Sequence, residues 1–155
     1  PELRVHLTGS VDPEVRRSIE QHGLSEIVTI DNFVPHEEAL RRMVRSTLLL
    51  LGIEQFAQAK GMITSKLYEY LASGRPVLGV GPSGGDADVL LREHEAGAVV
   101  DWGDADRMKE MIVTHYEAWQ DGTPRSGAAW ADIQQHNRVQ QARRLAEELG
   151  AVTSC

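Results

Sequence analysis

The chain has 155 residues, 41% of them hydrophobic, which suits one domain with a proper core. With 16 Lys and Arg against 23 Asp and Glu, a formal charge of −7, it lacks the concentrated positive charge that a nucleic-acid backbone demands. Its single Cys, Cys155, excludes a disulfide framework and fits the cytoplasm, and its longest apolar run, Leu48 to Leu51, is far too short to span a bilayer. Pro1 stands where an initiator Met is expected and a strand follows almost at once, so the chain is expected to be an excised or processed piece of something longer.

Apolar runs alternate with helical patterns at intervals of about 20 to 25 residues, the rhythm of β-α units winding a parallel sheet. The first strand is expected over Leu3 to Leu7 and ends in Thr8-Gly9. Asp12-Pro13 then provides a cap and a first-turn proline, and Gly23 ends the helix they start. A second strand, Val28 to Val34, leads to a helix over His36 to Val44. The third, Thr47 to Ile53, is apolar on both faces and is expected to be central, covered by helices on both sides. The stretch Glu54 to Ile63 has no periodicity of its own, and long loops inside compact domains are more often functional than idle.

That loop delivers the chain to Thr64-Ser65-Lys66-Leu67-Tyr68-Glu69-Tyr70-Leu71-Ala72-Ser73-Gly74-Arg75-Pro76, the most informative run. Thr64 or Ser65 can cap a helix, Leu67, Tyr70 and Leu71 form its apolar stripe, and Gly74 with Pro76 ends it. Gly61 just upstream lets the backbone approach a ligand closely. Amides without partners at a helix start attract phosphate. Glu69 shares a face with Ser65 and lies roughly 6 Å further along the axis, about the distance from a diphosphate to its ribose. A carboxylate can accept both ribose hydroxyls. Lys66 opposes the helix dipole at that position, a cost of roughly 0.3 to 1 kcal/mol that a bound anion would offset.

Strands at Pro76 to Val80 and Ala98 to Val100 follow, with helices over Asp86 to Glu95 and Asp104 to Trp119. Gly79-Val80-Gly81-Pro82-Ser83-Gly84 matches the dinucleotide pattern, with Asp101 near 20 residues on, but Pro82 falls where the helix should donate amides. It is read as a glycine-rich turn facing the same cleft. Residues 121–129 form a small-residue linker, and a last helix is expected over 130–149, with Ile133, Val139, Ala142, Leu145 and Leu149 on one side. The six His show no metal-ligand spacing, and neither a Gly-x-Ser-x-Gly elbow nor a Cys/His dyad is present. The expected fold is therefore α/β, a Rossmann-like doubly wound parallel sheet of about five strands over residues 3–120, with a C-terminal helix.

Thr64 to Leu78 resembles the pattern of the group-one retaining glycosyltransferases, in which a helix carries a glutamate, then small residues, Gly, Arg or Lys, Pro and a strand. Leu7-Thr8-Gly9 resembles that family's strand ending in glycine, and Phe33-Val34-Pro35 with Leu40 its loop and helix beside the nucleotide base. Gly84-Gly85-Asp86-Ala87-Asp88 resembles its Gly-Gly-x-x-Glu turn, with Asp88 replacing the glutamate, and Gly97 with Asp101 fits a glycine followed by an acid. The resemblance covers about Leu3 to Gln120.

The resemblance implies the C-terminal, donor-binding half of a two-domain GT-B enzyme that transfers a hexosyl group with retention. The donor is a nucleotide-diphosphate sugar, a substrate rather than a cofactor, and the resemblance implies no metal. By the same implication Glu69 holds the ribose, the amides around Thr64 and Ser65 together with Lys66 hold the diphosphate, Val34 contacts the base through its backbone, and Gly9 and Gly61 line the nucleotide-sugar site. The partner is a missing N-terminal acceptor-binding domain, against which the last helix packs and through which peripheral membrane contact remains open. The fragment alone is then inactive. Two departures stand out. The family's second glutamate, eight residues before the first, is Gly61 here, and its basic phosphate-binding pair falls upstream of the chain. A sugar-nucleotide epimerase of the same architecture and a non-enzymatic nucleotide-binding module are the alternatives.

Overall fold

The computed structural model describes residues 3–153, which form two compact units dividing after Arg45. In the first, β1 (Val5–Thr8), α1 (Pro13–Gln21), β2 (Val28–Asp31) and α2 (His36–Arg45) succeed one another. The strands pair in parallel, Val5 opposite Val28 and Thr8 opposite Asp31. Asp12 caps α1 by accepting from the Glu14 amide at 2.7 Å, and Gly23, at φ 66°, turns the chain out of it. Arg42 ties α2 to the strand ends, donating to Asp31 at 2.6 Å and Thr8 at 3.3 Å while pairing with Glu38 at 3.2 Å. None of residues 3–45 is fully buried.

The second unit holds β3 (Leu49–Gly52), a 3-10 turn (Ala59–Gly61), α3 (Ser65–Ala72), β4 (Val77–Val80), α4 (Asp86–Glu93), β5 (Gly97–Val100) and α5 (Ala105–Gln120). Its strands run parallel in the order β3-β4-β5, with Leu49 opposite Val77 and Val77 opposite Gly97. The core sits here: Leu67, Leu71, Val77 and Leu91 are completely enclosed, joined by Leu49, Leu51, Leu78, Val99 and Val100. The α/β class and five parallel strands agree with the Rossmann-like expectation, hydrogen-bonded as a pair and a triplet. The central strand of the triplet is β4, not β3. Leu49 and Leu51 are buried but Leu50 is 53% exposed, so β3 alternates as a one-sided strand does, contrary to the two-faced burial expected of it.

The linker is built into this unit, since the Gly127 amide donates to Gly74 O at 2.8 Å and Ala128 is buried. Where one helix was expected over 130–149, the chain forms α6 (Trp130–Ile133), a 3-10 turn (Gln134–His136) and then α7 (Arg138–Thr153). Asn137 makes the break. It takes an extended conformation, φ −63° and ψ 137°, and its Oδ1 accepts from the Val139 amide at 2.8 Å, so a side chain that competes for backbone donors starts a new helix.

Candidate functional site

Five of the expected site residues lie on one continuous segment. The 3-10 turn places Gly61, Met62 and Ile63 follow it, and Thr64 occupies the N-cap of α3 with φ −83° and ψ 151°. Burial of Leu67 and Leu71 fixes the roll of the helix, leaving Ser65 and Lys66 exposed and Glu69 half-buried. The expected side-chain cap is absent. Thr64 makes no capping bond, and its Oγ1 is buried with no partner among the described residues. The amides that open α3 are thus left to something outside the helix. At the other end Gly74 takes φ 66° and ends the helix, as the sequence led one to expect, and Ser73 Oγ donates to Tyr70 O at 2.6 Å. Tyr70 donates to Leu50 O at 3.4 Å; burial, then the neighbouring Glu69 charge, pushes its phenol above the ordinary value.

Beside this segment lies the turn from Gly81 to Gly85, pinned from below by two carboxylates. Asp88, 2% exposed, accepts from the amides of Val99 at 2.7 Å and Gly84 at 2.9 Å and from Arg92 Nε at 3.0 Å. Burial alone would raise its pKa, but these bonds together hold it below the ordinary carboxylate value. The residue matched to the family's glutamate is therefore committed to holding the turn. Asp101 accepts from the Ser83 hydroxyl, and from the Ser83 amide at 2.9 Å, bonds that lower its pKa, helped by the charge of Lys60. Trp102 Nε1 donates to Ile53 O at 2.9 Å, tying the end of β5 to the end of β3. Gly85 admits Lys60, since a Cβ there would stand 2.8 Å from Lys60 O. The glycines of the dinucleotide-like pattern serve packing too: a Cβ on Gly79 would meet Val99 at 2.7 Å and one on Gly81 would meet Ile53 at 2.8 Å.

Gly9 and Val34 belong to the first unit. Gly9 ends β1 at φ 110°, its amide donating to Asp31 O at 3.0 Å, and Val34 is half-buried in the loop after β2. Phe33, which sequence reasoning passed over as a functional group, lays its ring 3.5 Å from where a Gly9 Cβ would be and is 83% exposed. An aromatic face left open in this way is suited to stacking. Among the described residues no three His, Cys, Asp or Glu side chains gather as a metal site requires.

The same topology occurs in known structures. The chain is similar to the crystal structure of Alr3699/HepE from Anabaena in complex with UDP, with a TM-score of 0.75, 20% identity and coverage of 97% of this chain and 42% of that one. It is also similar to sucrose-phosphate synthase (tll1590) from Thermosynechococcus elongatus, with a TM-score of 0.63, 17% identity and coverage of 96% and 39%. The chain shares the α/β fold of the matching part of both structures. This chain spans about two fifths of the length of these structures. No family profile and no curated protein matches its sequence. No helix among the described residues is long and apolar enough to cross a membrane.

Proposed function

We propose that this chain is the donor-binding half of a glycosyltransferase of hexosyltransferase type, which holds a nucleotide-diphosphate sugar and passes its sugar to an acceptor with retention. The start of α3 carries the reading: an N-terminus without a side-chain cap, a buried hydroxyl without a partner, a cation where the dipole disfavours one, and a carboxylate one turn on. The fold shared with a UDP complex supports it.

In this reading the amides of Ser65 and Lys66, the Thr64 hydroxyl and the Lys66 ammonium bind the diphosphate, and Glu69 accepts the ribose hydroxyls. In the first unit, taken by itself, the backbone at Val34 with Gly9 and the open Phe33 ring is a surface suited to a planar base. As the bond to the sugar breaks, negative charge grows on the departing diphosphate, and fixed donors already aimed there lower the barrier. An N-terminal domain outside this chain holds the acceptor and receives part of α7, so the chain alone turns over no sugar.

Titration of the isolated chain with UDP, followed by NMR, tests the reading. Amides from Gly61 to Lys66 are expected to shift first. Shifts confined to Gly79 to Gly85 would instead assign the ligand to the dinucleotide-like turn.

A further inference from the structure

The backbone of the 3-10 turn and the start of α4 are in contact. A Cβ on Gly85 would stand 3.2 Å from Lys60 Cα and closer still to its carbonyl oxygen, so glycine at 85 lets Asp86 come up against Gly61. The place a Gly61 Cβ would occupy lies 3.9 Å from Asp86 Oδ2, and beyond the chain neighbours nothing else comes within 4 Å. A glutamate side chain at 61 would reach that far. Asp86 is exposed and, among the described residues, accepts no hydrogen bond.

An acid in a first turn is ordinarily explained by the helix dipole. In α4, however, the acid that binds a backbone amide at the helix start is Asp88, through Gly84. The Asp86 carboxylate is directed instead at the vacant side-chain position of Gly61, where the resemblance puts a glutamate.

We propose that Asp86 supplies from α4 the carboxylate that the chain lacks at position 61, and that it accepts hydrogen bonds from the hydroxyls of the sugar on a bound nucleotide sugar. This rests on the donor-site reading above. A carboxylate repels phosphate and accepts from hydroxyls, so beside a diphosphate site the hydroxylated sugar is the group it can bind. Asp86 is thus a specificity-determining contact for the transferred sugar, not for the nucleotide.

The test uses this chain, calorimetry, and as probes UDP, ADP and GDP, alone and as their glucose, galactose and mannose esters. For the sugar nucleotide that binds tightest, Asp86→Ala and the isosteric Asp86→Asn are each expected to weaken binding about tenfold, as loss of a charged hydrogen bond does. Affinity for the parent diphosphate should not fall. Adding Gly61→Glu to Asp86→Asn should restore most of the loss, which a helix-dipole role for Asp86 would not allow. Equal losses for sugar nucleotide and diphosphate, no loss with either variant, or no wild-type preference for any ester would overturn the assignment. A wild-type chain that binds none of the diphosphates would overturn the donor-site reading itself.

Discussion

Lys66 stands where a cation opposes the α3 dipole, and nothing in the apolar packing of Leu67 and Leu71 calls for it. Its neighbour Thr64 carries a buried oxygen without a partner, a cost on the order of 1 to 3 kcal/mol. An anion at the helix start offsets the Lys66 anomaly directly, and meets the enclosed Thr64 oxygen once the atoms covering it move aside. Thr64→Val removes the orphaned hydroxyl at nearly constant shape, so the melting temperature of the free chain is expected to rise or hold while affinity for UDP falls. If both stability and affinity fall, the hydroxyl is bonded within the protein. Glu69→Ala is expected to leave the fold intact, because a half-buried charge contributes little to the core, and to weaken UDP binding by about 1.5 to 3 kcal/mol, roughly one to two decades. Unchanged affinity in calorimetry, or an unfolded variant by circular dichroism, would make Glu69 structural.

Among the elements, α3, α4 and the turn Gln134–His136 meet at His136. Its Nε2 lies 2.9 Å from His94 Nε2 at the end of α4, and its ring is 5.6 Å from that of Tyr68 on α3. One imidazole donates to the other, which needs at least one of them neutral. Burial, then the charges of His94 and of Arg144 on α7, lower the His136 pKa below 6.5, outweighing the opposing Glu93. A histidine whose folded pKa is depressed contributes stability above its unfolded value of 6.5 and loses it as pH falls through the lower, folded value. Hydrogen exchange across 128–136 is therefore expected to accelerate as pH drops below about 6.5, beyond the intrinsic pH effect, and His136→Gln should flatten that dependence. This contact was invisible in the sequence, because residues 94 and 136 share no spacing that signals proximity. What could be read was local. Asp12-Pro13 and Gly23 set the bounds of α1, and Leu67, Leu71 and Gly74 set those of α3. The division of the last helix was missed because its apolar spacing runs on past Asn137, while one polar side chain rearranges the backbone there. Phe33, Asp88 and Asp101 owe their roles to neighbours distant in sequence, Gly9, Val99 and Ser83, which only the folded chain brings near.

At the scale of the whole chain, the fully buried residues among those described all lie from Leu49 onward, and α7 leaves Val139 65%, Leu145 61% and Leu149 57% exposed. An amphipathic helix with its apolar side in water is marginal on its own and takes its stability from what covers it. The structures that share this fold are more than twice as long as this chain, and the proposed acceptor domain would provide such a cover. In the isolated chain α7 is therefore expected either to exchange its amides quickly in the monomer or to gain protection as copies associate. Hydrogen exchange at two protein concentrations, with sedimentation to count protomers, distinguishes these outcomes. Slow exchange after Arg138, unchanged by concentration in a monomer, would mean that this chain stabilises α7 unaided, and the case for a missing partner domain would then rest on the fold comparison alone.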